Sequence, residues 1–456
     1  MSELMLSVSG LRGVVGETLT LEVAARYVLA FSESMPSGTF IVTRDSRRSG
    51  VMLADLIHAV LNASGRSTID AEIAATPTTG VLIRQFGAVG GIQVSASHNP
   101  IEFNGIKLFS GEGRVIPKKQ GLGVLESYKT GKFVWARHDQ IGNRTLCKNT
   151  ISEHRKAVMK TVDIEAVAHR NFKVLLDANH GAGAILGDWL LEGLGCDVTI
   201  LGEQPDGQFL HPPEPTSENL ADVCRLVKES HLDIAFCQDP DADRVAVIDA
   251  EGRYIGEEYT MTLCLEHLLR CADNSNYPHR RKKGAVVINC ATSRMNEDIA
   301  QKYGVPIFRS AVGEANVVDL MLEKEAMFGG EGNGGPIDPE VGLVRDSFVG
   351  MAQILDAMAA TGKTVAQLVD ELPRYALVKR KTTVELSQVP AMLDKTAAVF
   401  KQLPCDRLDG LRIDHGDAWV LLRGSNTEPI IRIFAEAPTQ NHANRLCDEI
   451  EQILAN

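Results

Sequence analysis

The sequence predicts an α/β protein: three similar α/β units with mixed or parallel sheets, then a smaller α+β unit, set around one central cleft. Three observations carry that prediction. At 456 residues the chain exceeds the size at which a single core stops growing. Three stretches, TFIVTRDSRRSG (39–50), FKVLLDANHGAG (172–183) and GAVVINCATSRM (284–295), repeat one layout of apolar strand, polar turn and helix-like run. After about residue 372 that alternation stops.

The boundaries fall near 1–150, 151–250, 251–372 and 373–456. In each of the first three units a second strand, some 40 to 60 residues on, ends in an unusual loop. The loops are SASHNP (95–100), DPDADR (239–244) and GGEGNGG (329–335). Strands alternating with helical runs imply parallel pairing, and open α/β sheets bind ligands beyond the carboxyl ends of their strands. The three loops can therefore share one cleft. In the last unit KTTVELS (381–387) reads as a strand and 389–403 as a helix. AWVLLRGS (418–425) and PIIRIFAEA (429–437) follow as strands, and 440–454 as a final helix.

Composition excludes several functions. Apolar residues make up 44% and charged residues 23%, ordinary values for a globular protein. No apolar stretch approaches the roughly 18 residues of a membrane helix, and MSELMLSVSG lacks the basic region of a signal peptide. Nine scattered cysteines without a CxxC pair fit a reducing cytosol. Cys264, His267 and Cys271 fall on one helical face, but no fourth ligand has zinc spacing, so core packing is the reading there. A net charge of −12 argues against nucleic acid, and HRRKK (279–283) reads as a solvated loop. An acidic chain that binds anions must concentrate its cations locally, which singles out individual arginines and lysines.

In DPDADR the acids Asp239, Asp241 and Asp243 alternate, so an extended backbone would turn them to one side. Two bare carboxylates 4 Å apart repel by about 4 kcal/mol at an effective dielectric of 20. A divalent cation removes that penalty, and all-oxygen ligation favours Mg²⁺. The motif is not an EF-hand, because Arg244 replaces the turn glycine and Ala250 the final glutamate; a solvated acidic turn is the plain alternative. Arg244 adds a cation suited to phosphate. RGSNTEPIIR offers Arg423, Ser425, Asn426, Thr427 and Arg432 as a phosphate cradle, or else an ordinary turn. SGLRG (9–13) and TRDSRRSG (43–50) place Arg12 and Arg47 among small residues, a weak signal in each case.

Five glycines in seven residues exclude a helix or regular strand for GGEGNGG. Glu331 and Asn333 there can grip vicinal sugar hydroxyls, unless the loop is a simple hinge. In SASHNP, Ser97 is the one candidate nucleophile, although serine in a turn usually serves local hydrogen bonding. No G-x-S-x-G elbow supports acyl chemistry. A serine, a Mg²⁺ site and several anion loops together suit phosphoryl transfer, in which a protein chiefly positions groups and neutralises charge.

SGLRG, SASHNP, NGIK (104–107), DPDADR, GGEGNGG and RGSNTEP, in that order over the whole chain, resemble the motifs of the α-D-phosphohexomutases. That family has three similar α/β domains and a fourth α+β domain. The resemblance implies that Ser97 is phosphorylated in the active form, primed by a hexose 1,6-bisphosphate. The phosphate would hold one Mg²⁺ per chain with Asp239, Asp241 and Asp243. It implies Lys107 as proton-transfer group, with Arg12 and His98 assisting, and Glu331 and Asn333 as readers of the sugar. Arg423, Ser425, Asn426, Thr427 and Arg432 would hold the non-reacting phosphate. The partner implied is a hexose phosphate, with no nucleic acid or membrane, in a cytoplasmic monomer or homodimer. Two positions depart from the pattern. The sugar loop commonly reads GE-x-S-G-H, where this chain has Asn333 and Gly335, and many members carry Lys or Arg where it has Ala315. Both positions face the substrate in the family. Asn333 resembles a subgroup of phosphoglucosamine mutases, which favours glucosamine phosphate over glucose or mannose phosphate. A phosphatase and a non-catalytic sugar-phosphate binder are the rival readings.

Overall fold

The computed structural model describes residues 4–425 and 429–455. The first unit has strands Phe40–Arg44, Thr68–Ile73, Gly90–Val94 and Phe103–Ser110 at its centre. The second has Lys173–Asp177, Asp197–Leu201, Ile234–Gln238 and Val245–Asp249, and the third Val286–Asn289, Ile307–Ser310, Phe328–Glu331 and Gly335–Ile337. In all three the spatial order is fourth, third, first, second. The third strand runs parallel to the first, and the fourth returns antiparallel to the third. The repeated layout is thus a repeated topology. The first sheet adds Met5–Ser7 and Gly10–Val14 at one edge and Arg144–Leu146 at the other.

The central strands are buried on both faces, as their runs of Val, Ile, Leu and Phe require between helical layers. The sequence reading missed one strand per unit. What it took as the second strand is the third; the true second lies at or near the sheet edge, where Asp197–Leu201 carries no fully buried residue. Each unusual loop therefore joins the third strand to the fourth. Strand pairing brings the chain back beside itself and places every loop at the carboxyl end of its sheet's third strand.

Helix Ser347–Thr361 is buried over its first twelve residues, and it packs with helix Glu257–Asp273. A helix apolar all round must be covered on every side. Its polar members are partnered: Gln353 Nε2 donates to Asp338 Oδ2 at 2.9 Å, and Asp356 Oδ2 lies 2.8 Å from His267 Nε2. This settles the Cys264–His267–Cys271 face as core, with both cysteines buried. The 279–283 run is less solvated than expected, because Arg281 Nη1 is drawn into a 2.7 Å pair with the buried Asp338.

The fourth sheet is antiparallel, in the order Ala376–Thr383, Ile430–Ala437, Trp419–Gly424, Leu411–Asp414, Cys405–Asp406. Helices Val389–Val399 and Gln440–Ala455 accompany it. The strand expected at 381–387 is displaced to Ala376–Thr383, since its pairing ends where its partner begins at Ile430. The helix expected to reach 403 stops at Val399, ahead of Pro404. Among the described residues no helix is long and apolar enough to cross a membrane.

Candidate active site

Ser97 leaves strand Gly90–Val94 with a left-handed backbone, φ 50°. For a non-glycine residue that conformation costs roughly 1–2 kcal/mol, so the surroundings must enforce it. They do so through a buried clamp. Ser97 N donates to Ser95 Oγ at 2.8 Å, and Ser95 Oγ donates to Asp45 Oδ2 at 2.7 Å. Arg47, fully buried, pairs with Asp45 and donates from Nη2 to the carbonyls of Ser97, at 2.7 Å, and Asn99. Phe209 of the second unit covers its guanidinium at 5.2 Å. The hint that Arg47 serves an anion is overturned, because its charge is engaged within the protein. We expect Arg47→Met to destabilise the chain by about 3–5 kcal/mol, since it strands a buried carboxylate. Arg47→Lys should keep the fold yet lower kcat at least tenfold with little change in KM. Denaturant titration and steady-state kinetics check the two.

The clamp points Ser97 Oγ at Asp239, to whose Oδ2 it donates at 2.7 Å. Asp239, Asp241 and Asp243 are all fully buried, with carboxylate oxygens within 4.8 Å of one another. They converge by a turn with Ala242 at φ 55°, not along the extended alternation read from the sequence. Burial, then repulsion from Asp241 and Asp243, raises Asp239 well above the usual carboxylate range. Burial works the same way on the other two but is outweighed, for Asp241 by Lys107 and Thr76 and for Asp243 by Arg345 and Lys107, so both are lowered. Thr76 Oγ1 donates to Asp241 Oδ2 at 2.5 Å, and Lys107 Nζ reaches Asp241 Oδ2 at 3.3 Å and Asp243 Oδ2 at 2.9 Å. The opposite oxygens, Asp241 Oδ1 and Asp243 Oδ1, are buried with no hydrogen-bond partner. Two orphaned carboxylate oxygens beside a seryl oxygen and a third carboxylate fit a hard divalent cation that takes oxygen ligands, as Mg²⁺ does.

Lys107 stands on strand Phe103–Ser110 opposite Gly10 and Gln93. Burial would lower its proton affinity, but Asp243, Asp241 and Glu314 raise it. His98 Nδ1 is 3.3 Å from Ser97 Oγ. Burial, Arg244 and Arg12 hold His98 well below its usual value, so the imidazole is neutral. Arg12 Nη1 donates to Asn99 Oδ1 at 3.1 Å, and burial lowers the guanidinium's pKa. Arg244 Nε is 3.7 Å from Asp243 Oδ1, beyond hydrogen-bond reach.

Arg12, His98, Asn99 and Lys107 form one wall of a cavity of about 840 Å³, and Thr383, Ile430 and Arg432 of the fourth sheet form the other. Arg423 and Arg432 sit directly opposite each other on neighbouring strands. Like charges so placed are unfavourable unless an anion joins them. Arg423 Nε pairs with Asp409 Oδ2 at 3.1 Å, and Ser425 is buried where its N–H bonds Ile430 O. Asn426 and Thr427 lie outside the described residues.

The glycine-rich stretch is no floppy loop. Gly329, Gly330 and Glu331 belong to one strand and Gly335 opens the next, in the register Glu331↔Gly335. The absence of side chains allows close packing, since a Cβ at Gly329 would lie 2.5 Å from Met321 Sδ. Asn333 Oδ1 is buried without a partner. Glu331 is engaged on both oxygens: Oε1 accepts from Asn289 Nδ2 at 2.8 Å and Gly313 N at 3.0 Å, Oε2 from Arg345 Nη1 at 2.9 Å. Ala315 is buried in an apolar cluster with Leu82, Ile83 and Val344, where its methyl serves packing. Sequence reasoning passed over Asp45, Thr76, Glu314 and Arg345. Their only signals were the RDS tripeptides at 44–46 and 345–347 and the small-residue run before helix Thr76–Phe86.

The chain matches phosphoglucomutase/phosphomannomutase alpha/beta/alpha domain I over residues 4–135, domain II over 152–252 and domain III over 257–375. The C-terminal domain of the same enzymes matches over 375–453. The chain belongs to the phosphoglucomutase/phosphomannomutase family. As a member of that family it is an isomerase, an intramolecular phosphotransferase. A phosphoglucomutase/phosphomannomutase of Thermococcus kodakarensis is 37% identical over 95% of this chain and 94% of its own. A probable phosphoglucosamine mutase of Methanopyrus kandleri is 30% identical over 98% and 96%. The fold of this family member also superposes on a putative phosphomannomutase crystal structure from Thermus thermophilus, with TM-score 0.84, 22% identity and full coverage of both chains.

Proposed function

We propose that this chain interconverts hexose 6-phosphate and hexose 1-phosphate through a phosphorylated Ser97, with glucosamine phosphate as its preferred sugar. Units 1–150, 151–250, 251–372 and 373–456 each contribute one loop: nucleophile, acids, sugar hairpin and phosphate cradle. The observation that carries the reading is Ser97 Oγ, held 2.7 Å from Asp239 beside two orphaned carboxylate oxygens, on a loop whose Ser95, His98 and Asn99 line the same cavity as Arg432. Ser97, Asp239, Asp241 and Asp243 would hold Mg²⁺, which supplies positive charge to the transferring phosphoryl oxygens.

In the forward half-reaction the phosphorus–Oγ bond of phosphoserine breaks and a bond to the free sugar hydroxyl oxygen forms. The neutral His98 imidazole, 3.3 Å from Oγ, takes the hydroxyl's proton, and Lys107, held as an ammonium by Asp243 and Asp241, gives a proton to the departing Ser97 Oγ. Arg12 and Arg244 place positive charge beside the reacting phosphate. Glu331 and Asn333 read sugar hydroxyls, and Arg423, Ser425, Asn426, Thr427 and Arg432 hold the phosphate that does not react. The bisphosphate then turns over, and its other phosphoryl group returns to Ser97. A hexose 1,6-bisphosphate supplies the first phosphoryl group. Buried free thiols such as Cys237 and Cys264, whose pKa burial raises, support a reducing cytoplasmic setting.

Asn333 and the relative from Methanopyrus kandleri support glucosamine. The higher identity of the Thermococcus kodakarensis relative favours glucose or mannose phosphate as the second reading. A panel of glucosamine, glucose, mannose and N-acetylglucosamine phosphates decides between them. We expect kcat/KM for glucosamine phosphate to lead by at least about tenfold, ~1.4 kcal/mol of differential transition-state binding. Free phosphate as the dominant product would overturn the mutase reading in favour of a phosphatase.

A further inference from the structure

Arg345 lies just ahead of helix Ser347–Thr361, whose first turn Asp346 caps by accepting from Phe348 N and Val349 N. The cap fixes the chain there and sends the Arg345 side chain inward. Its guanidinium is buried among three carboxylates from three separate segments: Nη2 2.6 Å from Asp243 Oδ2, Nη1 2.9 Å from Glu331 Oε2, and Nε 3.3 Å from Glu314 Oε2. Asp243 belongs to the acid loop of the second unit, Glu331 to the sugar hairpin, and Glu314 to the start of helix Glu314–Glu323.

The Arg345 stem also fills the space above Gly335. A Cβ at that glycine would lie 2.5 Å from Arg345 Cδ, 2.9 Å from Cγ and 3.0 Å from Cβ. Gly335 and Arg345 are therefore one structural choice: a side chain at 335 and this arginine cannot both occupy the site. Ala315, meanwhile, supplies no cation. The positive charge between sugar hairpin and acid loop comes from position 345, and it is felt at His98, Arg12 and Lys107, whose proton affinities it lowers.

We infer that Arg345 is a positioning residue that couples the sugar hairpin to the acid triad, fixing Asp243 and Glu331 in one geometry through a bidentate grip that Gly335 makes room for. By binding Asp243 Oδ2 it leaves Asp243 Oδ1 as the oxygen without a partner. By binding Glu331 Oε2 it ties the reader of the sugar to the same charge. The inference rests on the reading of Asp243 as a metal ligand and Glu331 as a sugar contact. A lysine at 345 keeps the charge but cannot hold two carboxylates in a planar fork.

The test uses the full chain and Arg345→Lys, with Arg345→Ala as the harsher variant. Titration calorimetry with Mg²⁺ alone should show Arg345→Lys binding roughly 10- to 100-fold more weakly than the parent. Kinetics should show a higher KM for the sugar phosphate together with a lower kcat, as expected when both the sugar reader and the acid triad lose their common anchor. Gly335→Ala should lower the unfolding midpoint more in the parent than in the Arg345→Ala background, since the clashes with Cδ and Cγ are then gone and only the 3.0 Å approach to Cβ remains. Unchanged Mg²⁺ affinity and unchanged kcat/KM in Arg345→Lys would overturn the inference, as would additive effects of Gly335→Ala and Arg345→Ala. A parent chain that binds no Mg²⁺ at all would instead overturn the underlying metal reading.

Discussion

Ser97→Ala is expected to lower kcat by at least about four orders of magnitude, ~5.4 kcal/mol in activation free energy, while hexose phosphate affinity shifts less than about threefold. The asymmetry follows from geometry. Ser97 Oγ contacts Asp239 Oδ2 and His98 Nδ1, whereas the cavity is lined by Arg12, Lys107, Thr383, Ile430 and Arg432, which the substitution leaves alone. On the proposed reading, deleting the hydroxyl removes the atom that would carry the phosphoryl group but not the cations that would hold the substrate. The backbone should persist, because Arg47 and Ser95, the latter held by Asp45, bond main-chain atoms of residue 97 and not its side chain. Single-turnover assay, calorimetry with a sugar phosphate and intact-mass measurement check this together. The parent should carry a substoichiometric phosphate that the variant lacks. Residual turnover within tenfold of the parent would place the chemistry on another group.

The residues proposed to carry chemistry could be singled out from the sequence because each set is contiguous. SASHNP and DPDADR must be local runs, since a hairpin can present several side chains to one point only over a few residues. The threefold repeat was legible for a related reason, as each first strand is apolar, short and followed by the same polar turn. What escaped was held together by distance in sequence. Arg345 meets Asp243 across 102 residues and Arg47 meets Ser97 across 50, and neither arginine has a local pattern that names its partner. The missed second strands, Asp197–Leu201 and Ile307–Ser310, are only partly buried for most of their length, so their apolar signal is weak. The glycine-rich strand was misread because propensity counts what a side chain would contribute. At Gly329 and Gly335 the fold instead uses its absence, to seat Met321 and Arg345 against the backbone.

Asp239→Asn should have two effects of opposite sign. In the metal-free protein three carboxylates share one buried pocket, with oxygens within 4.8 Å of one another. Two unit charges at that spacing repel by about 3 kcal/mol at an effective dielectric of 20. Lys107 and Arg345 offset the cost at Asp241 and Asp243, but the side-chain contacts of Asp239 are with a serine hydroxyl and a backbone N–H, and its carboxyl alone is raised. An asparagine of the same shape removes the charge, and its amide oxygen can still accept from Ser97 Oγ. The variant should therefore unfold later than the parent in chelator, by about 1–3 kcal/mol once screening by Arg244 is allowed for. It should also lose most of the stabilisation that Mg²⁺ gives the parent, because one of three charged ligands is gone. Turnover should fall by about 10²–10⁴, the range in which a lost transition-state electrostatic contact shows. Thermal or denaturant unfolding with chelator and with Mg²⁺, run beside the activity assay, separates the terms. If the variant is less stable than the parent in chelator, the three acids are not in mutual repulsion. If it is stabilised by Mg²⁺ as strongly as the parent, Asp239 is not among the groups that hold the ion.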